Sequence, residues 1–309
     1  MTNKSSSNNV FSIIIPAFNE EETIENSITN IHAVLSGNYT TYEIIVVDDG
    51  STDNTFSIAS KLPGVKVVRH PYNKGNGASV KSGILGAKGE KILIIDADGQ
   101  HDPKHIPEML NLLDEYDLVV GARGSFGLGQ RGFGNILVSK LAGYLSGIEI
   151  PDLTSGYRAF KKDKILEFID LLPNGFSLPS TSTLAFAITG YNIKFIPILV
   201  KPRQGGQSSI KVYRDGTKFL ILIMRMISLF HPLKVFAPTS IILFLMGVIW
   251  SIKVLLVDTG GVSSVGTMLL LAGILTFLFG LLANQIAETR FSIGKIIKSQ
   301  MKQKKEDAE

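Results

Sequence analysis

The stretch Lys91-Ile-Leu-Ile-Ile-Asp96-Ala-Asp98-Gly-Gln100-His-Asp-Pro103 decides how this chain reads. Residues 92–95 are apolar without a break, and three of the four are Ile, the pattern of a strand buried on both faces. The run stops at two carboxylates one residue apart, followed by a glycine and an amide. Side chains at i and i+2 of an extended chain project the same way, so Asp96 and Asp98 can face one cation, with Gln100 as a third oxygen. Hard oxygen donors suit Mg²⁺ or Mn²⁺. In open α/β sheets, ligands gather outside the carboxyl ends of the strands. The same residues also suit a plain polar turn, with Asp98-Gly99 at its tip and Asp102-Pro103 opening a helix.

Outward from this stretch, residues 10–122 alternate between strand and helix patterns. Strands are expected at Val10–Ile15, Tyr42–Asp48, Val65–Arg69, Lys91–Ile95 and Asp117–Gly121. Helices are expected at Glu20–Leu35, from a cap at Ser51 or Asp53 to about Lys61, and at Gly75–Ala87. Strands and helices of this length in alternation imply βαβ units and a mostly parallel sheet. Residues 123–215 are less regular. Helices are expected at Arg131–Ser146, Lys162–Leu171 and Ser180–Gly190, a turn running into a strand over Asp152–Phe160, and a strand at Asn192–Val200. Residues 203–209 read as a loop.

The last third changes character. Gly216–Phe230 is apolar at helical spacing and carries Lys218 and Arg225, which suits a helix in a membrane interface. Residues 235–252 and 262–286 are free of charge, and a span needs about 20 residues to cross a hydrocarbon core of about 30 Å. Spans are therefore expected at about 235–257 and 262–286. The link Asp258-Thr-Gly-Gly261 is too short to be anything but the turn of a hairpin. Basic residues crowd both outer flanks, at Lys211, Arg214, Lys218, Arg225 and Lys234 before and Arg290, Lys295, Lys298, Lys302, Lys304 and Lys305 after, and none lies in the turn. The positive-inside rule then puts the large domain and the tail in the cytosol. The expected divisions are a disordered leader at 1–9, a catalytic domain at 10–215, an interfacial helix at 216–234, the two spans, and a basic tail at 287–309. Such a chain is an integral membrane protein, at the plasma membrane in a prokaryote.

Charge follows the same division. The net of +4 separates into −4 for residues 1–200 and +8 for the remainder, so the pI of about 9.0 does not describe a uniformly basic protein. Apposition to an anionic membrane fits this pattern better than nucleic-acid binding, which is not expected. The chain has no Cys, which excludes disulfides, thiolate metal sites and cysteine nucleophiles.

Three strand ends in the first half carry polar clusters: Pro16-Ala-Phe-Asn-Glu20, Asp48-Asp49-Gly-Ser-Thr-Asp53 and Asp96-Ala-Asp98-Gly-Gln100, with Asn73-Lys-Gly-Asn-Gly-Ala78 between the second and third. Further on stand Gly121-Ala-Arg123, Arg131 with Gly134-Asn135, Asp152-Leu-Thr-Ser-Gly-Tyr-Arg158-Ala-Phe, and Arg203 with the residues from Gly206 to Ser209. In this order they resemble the family 2 glycosyltransferases of GT-A fold, especially the dolichyl-phosphate mannose synthases and related polyprenyl-phosphate glycosyltransferases. The resemblance covers about residues 10–215, and the hairpin extends it.

The resemblance implies a Rossmann-like, mostly parallel catalytic domain joined to a transmembrane hairpin. It implies an inverting transferase moving one hexose from GDP-mannose or a UDP-hexose to a polyprenyl phosphate at the bilayer. Pro16, Ala17, Asn19, Glu20, Asp48 and Asp49 would hold the nucleotide. Asp96, Asp98 and Gln100 would hold Mg²⁺ or Mn²⁺ on the diphosphate, with Asp98 also near the sugar. Arg123, Arg131, Arg203 and Lys211, joined by Ser139, would receive the acceptor phosphate, and Arg123 and Asp98 would be the catalytic pair. Asp152 and Arg158 either join the site or shape its loop. Lys211 stands two residues beyond Ser209, whereas a Lys directly after Ser is common in the family; this departure displaces Lys211 from that role and leaves Ser209 in its place. Two alternatives remain: a polysaccharide synthase, disfavoured because the single Trp, Trp250, lies in a span, and an inactive scaffold subunit of a glycolipid flippase. A homo-oligomer is left open. Gly127-Leu-Gly129-Gln-Arg-Gly132 fits a dinucleotide fingerprint, but it follows the fifth strand rather than the first and reads better as a loop.

Overall fold

The computed structural model describes residues 11–37, 39, 41–123, 133–175, 177–200, 232–257 and 263–306. The leader, the 127–132 glycines, Arg131, Arg203, Ser209, Lys211, the interfacial helix before residue 232 and the hairpin turn lie outside the described residues. The chain divides into two compact units, Met1–Phe219 and Leu220–Glu309.

The first unit is built on seven strands: β1 (Phe11–Ala17), β2 (Tyr42–Asp48), β3 (Val65–Arg69), β4 (Lys91–Ile94), β5 (Leu118–Arg123), β6 (Arg158–Lys161) and β7 (Ile193–Ile198). Their order across the sheet is β3-β2-β1-β4-β6-β5-β7. The apolar runs form the strands because both faces are covered: Ile13, Ile14 and Ile15, Ile44 to Val47, and Ile92 to Ile94 are all buried. The order reverses between β1 and β4, which run parallel. This is the switch point outside which an open sheet leaves a crevice. β6 alone runs antiparallel, wedged between β4 and β5.

Helices α1 (Ile24–Leu35), α2 (Thr55–Ala59), α3 (Asn76–Gly86), α4 (Ile106–Leu112), α5 (Phe133–Ser146), α6 (Lys162–Leu166) and α7 (Leu178–Ile188) connect the strands. α1 presents Ile24, Ile28, Ile31 and Leu35 to the core, the i, i+3, i+4 stripe of an amphipathic helix. It starts four residues later than the sequence suggests, because Glu20–Thr23 is spent on a turn in which Glu20 O accepts from Thr23 N and Ile24 N.

The second unit contains two long helices, Pro232–Val257 and Ser264–Glu306. Segments of 25 and 26 residues within them are long and apolar enough to cross a membrane, and only 11% and 17% of their most apolar windows are buried. That low burial separates them from the core helices of a soluble domain. They pack antiparallel through glycines. A side chain at Gly273 would meet Ser240 O and Phe244 N at 3.0 Å, and one at Gly247 would meet Leu270 N at 2.8 Å. Small residues let backbones close where lipid supplies no hydrophobic drive.

α3 is pinned at its N-terminus to the 173–175 segment: Ala78 N donates to Asn174 O at 2.9 Å, and a Cβ on Gly77 would collide with Pro173 O and lie 2.7 Å from Gly175 O. Gly77→Ala should therefore destabilise the protein by about 1–3 kcal/mol despite the better helix propensity of Ala. Gly175→Ala, which meets nothing within 4 Å, should be near neutral. Thermal midpoints of the two variants check this, and equal midpoints would refute the packing argument.

Candidate active site

The register of the sheet brings the polar strand ends to one edge. Ala17 is level with Asp48, and Asp48 with Arg69. Ile94, two residues before Asp96, is level with Ile14 and with Arg158. Val120 is level with Arg158 as well, which sets Arg123 at the same end of β5.

On the β1–β3 side, the loops after β1 and β2 are laced together. Asn19 adopts φ +54°, a left-handed conformation that Asn tolerates better than most residues. Its N–H donates to Ser51 Oγ at 3.0 Å, and its Oδ1 accepts from Thr52 N at 2.9 Å. Glu20 N donates to Thr55 Oγ1 at 2.8 Å, and Glu20 Oε2 accepts from Thr23 Oγ1 at 3.0 Å. Asn19 and Glu20 thus shape this wall with their backbones and side chains together. Pro16 and Ala17 are buried in β1, with Phe18 exposed just beyond them.

The two adjacent aspartates differ in what they do. Both oxygens of Asp49 are occupied: Oδ1 meets His70 Nδ1 at 2.7 Å and accepts from Lys74 N at 3.0 Å, while Oδ2 accepts from Gly75 N at 2.8 Å. His70 Nε2 in turn lies 2.9 Å from Ser82 Oγ. Asp49 therefore ties β2 to the loop before α3. Asp48 is fully buried. Its Oδ1 accepts from Ser51 N at 3.2 Å, and Arg69 Nε approaches Oδ2 at 3.1 Å. Oδ2 is covered from solvent and lacks a hydrogen-bond donor among the described residues, with the Arg69 guanidinium as its charged neighbour. Arg69 is held over the Phe56 ring at 4.5 Å. Sequence reading missed Arg69, although its place at the end of β3, level with Asp48, is where such a residue would be sought.

At the switch point, Gln100 N donates to Asp98 Oδ1 at 3.1 Å across a turn in which Gly99 has φ +69°. The carboxylate of Asp96 is about a third exposed, and His101 Nε2 lies 3.7 Å from its Oδ2. Burial resists its ionisation, but His101, the Asn76 side chain and the Arg158 charge outweigh this and hold the carboxyl below its usual range. Gly156 passes so close that a Cβ there would lie 2.5 Å from Asp96 Oδ2. Among the described residues, no three His, Asp or Glu side chains converge as a ready-made metal cage. Two carboxylates at one strand end, with room kept by a glycine, still suit Mg²⁺ or Mn²⁺, since Mg²⁺ is usually bound through one or two carboxylates plus substrate phosphates.

Arg123 is gripped by Asp152. Nε donates to Oδ2 at 2.7 Å and Nη2 to Oδ1 at 3.0 Å, the backbone N–H reaches Oδ2 at 3.1 Å, and Nη2 also donates to Thr154 Oγ1 at 2.6 Å. This two-pronged pairing is the strongest geometry open to the two groups. Arg158 is fully buried. Its Nη1 donates to Pro179 O at 2.7 Å and Ser182 Oγ at 2.9 Å, and its Nε to Ser155 O at 3.0 Å. Burial pulls its pKa down to about 9, against the opposing pull of Asp152 and Asp96. Asp152 and Arg158 are thus both part of the scaffold of this edge. Ser139 is half-buried on α5.

Burial also resists ionisation of Asp152, but the hydrogen bonds and charge of Arg123 outweigh it and hold its carboxyl below the usual range. A depressed folded-state pKa contributes stability that is complete above the unfolded value, about 3.9, and is lost as pH falls through the folded one. With Arg123 partly exposed, Asp152→Asn should cost about 1–2 kcal/mol at pH 7. The gap in denaturation midpoint between wild type and variant should narrow below about pH 4. A gap that stays constant down to pH 2 would contradict the pairing.

Comparison with known proteins places the chain in a family. The description "Glycosyl transferase family 2" matches residues 12–168, just over half of the chain, and "GtrB C-terminal hairpin" matches residues 231–289. The dolichol-phosphate mannosyltransferase of Pyrococcus furiosus is 33% identical over 65% of this chain and 59% of its own length. The dolichyl-phosphate hexose transferase of Haloferax volcanii is 29% identical over 62% of this chain and 83% of its own. The dodecaprenyl-phosphate galacturonate synthase of Rhizobium johnstonii is 33% identical over 48% of this chain and 47% of its own. The chain thus spans about half to three-fifths of the length of the first and third of these relatives. Glucosyl-3-phosphoglycerate synthase from Mycobacterium tuberculosis, solved with Mn²⁺ and UDP, superposes with a TM-score of 0.57 at 21% identity, over 71% of this chain and 79% of its own. It shares the fold. By its polar strand ends, its switch-point carboxylates and the family match, the chain belongs to the family 2 glycosyltransferases, with a GT-A sheet and a C-terminal apolar hairpin.

Proposed function

We propose that this chain transfers one hexose from a nucleoside diphosphate sugar to a polyprenyl phosphate at a membrane surface, with inversion at the anomeric carbon. The observation that carries the reading is one sheet edge bearing both the Asp96/Asp98 pair and a fixed arginine, Arg123, on a chain that ends in a membrane-length hairpin. Similarity to enzymes named for dolichyl and dodecaprenyl phosphates supports the lipid acceptor.

In this reading the nucleotide lies against the ends of β1 to β3. Asp48 accepts hydrogen bonds from the base or ribose, and Asn19 and Glu20 hold the wall in shape. Asp96 and Asp98, with Gln100, would hold a divalent cation, Mg²⁺ or Mn²⁺. Such an ion supplies Lewis-acid stabilisation of the leaving diphosphate. Arg123 receives the acceptor phosphate, joined by Arg131, Arg203, Lys211 and Ser139. A phosphate monoester has a second pKa near 6, so at pH 7 it is already an anionic nucleophile and needs no general base. Its oxygen attacks the anomeric carbon while the bond to the nucleoside diphosphate breaks from the opposite face. The task of the arginines is to offset repulsion between two phosphate groups. The positive flanks of the hairpin favour a cytosolic catalytic domain and tail.

Asp98→Ala should lower transfer at least about 100-fold, and EDTA should abolish it until Mn²⁺ or Mg²⁺ is restored. The assay is extraction of radiolabelled lipid-linked sugar from membranes given GDP-mannose, UDP-glucose or UDP-N-acetylhexosamine. Product formation unaffected by EDTA, or a long polymer in place of a short lipid conjugate, would overturn the reading.

A further inference from the structure

The segment from Asp152 to Arg158 touches both halves of the site, and sheet order makes this unavoidable. β6 lies between β4 and β5 and runs against them. Its first residue, Arg158, therefore sits between the carboxyl ends of those strands, and the chain leading into it must cross the gap between Asp96 and Arg123.

Along that crossing every contact is specific. Asp152 grips Arg123 with both oxygens, and Thr154 takes a further Nη2 hydrogen. Thr154 N donates back to Asp152 Oδ1 at 3.2 Å, which fixes the two acceptors relative to each other. Gly156 then lies against the Asp96 carboxylate, with no room for a methyl group. Its backbone is not in the left-handed region, so the glycine is required by proximity and not by its dihedral angles. Arg158 anchors the far end in the core through Ser155 O, Pro179 O, Ser182 and Thr183.

We propose that residues 152–158 form a rigid strap that fixes the placement of the donor carboxylate Asp96 relative to the acceptor cation Arg123, with Gly156 and Asp152 as positioning residues for the two sides. The assignment of sides rests on the function proposed above. Transfer across a gap is steep in geometry, and a displacement of about 1 Å can cost 100-fold.

The strap predicts opposite selectivity for substitutions four residues apart. Gly156→Ala pushes only the end of the Asp96 side chain, so the fold survives while the carboxylate moves. In the full-length protein in nanodiscs, binding is measured by calorimetry with two probes: GDP or UDP plus Mn²⁺, and farnesyl phosphate. Gly156→Ala should weaken the Mn²⁺–nucleotide about tenfold or more and farnesyl phosphate less than about threefold, and Asp96→Asn should do the same. Asp152→Asn should show the reverse, and so should Thr154→Val, a near-isosteric change that guards against misfolding. The double variant Gly156→Ala/Asp152→Asn should lose transfer non-additively. Wild-type affinity for Mn²⁺–nucleotide in Gly156→Ala, or equal weakening of both probes in every variant, overturns the strap. If the wild type binds farnesyl phosphate but transfers no sugar to any polyprenyl phosphate, the proposed reaction fails while the two binding arms still decide the strap.

Discussion

The polar edge of the sheet depends on one buried charge. Asp48, Asp49, Asp96, Asp98 and Asp152 all gather at the same ends of the sheet, and such a concentration of carboxylates repels itself. Arg158 lies near Asp96 and Asp152 without solvent, and its guanidinium is satisfied by two backbone carbonyls and two hydroxyls. Burying a cation is costly unless its hydrogen bonds are complete. Here they are numerous, and the charge acts on Asp96 and Asp152. Removing it would leave the hydroxyl-lined pocket unfilled and the two carboxylates more reluctant to ionise. The antiparallel strand β6 carries this residue as its first position.

The buried strands were legible because both of their faces are covered. Ile13–Ile15, Ile44–Val47 and Ile92–Ile95 read as strands from apolar runs alone, and each ends where polar residues begin. Boundaries were less legible wherever loops compete with helices for backbone partners. Glu20–Thr23 looks helical but is held by α2 and its own turn. Asp53, expected as a helix cap, does accept from Thr55 N and Oγ1 at 2.9 and 2.6 Å, although α2 begins at Thr55 and Asn54 takes the N-cap position.

The candidate site was legible in its residue types more than in their partners. Asp96, Asp98 and Arg123 were found because they follow strand ends. Nothing local tells Asp49 from Asp48, yet one is spent on a loop and the other keeps an oxygen without a donor. Arg69 was missed, and Thr154 and Gly156 were seen only as members of the Asp152–Phe160 motif without roles of their own, for a related reason. Their importance lies in approaches across the sheet edge, and sequence spacing does not encode them.

The second hairpin helix has a mechanical consequence. It runs unbroken from Ser264 to Glu306, 43 residues, or about 64 Å at 1.5 Å per residue. A hydrocarbon core is about 30 Å thick, so roughly half of the rod extends beyond it. A stiff rod embedded at one end behaves as a lever. A tilt of the span by about 20°, ordinary for membrane helices, would carry its far end sideways by about 12 Å.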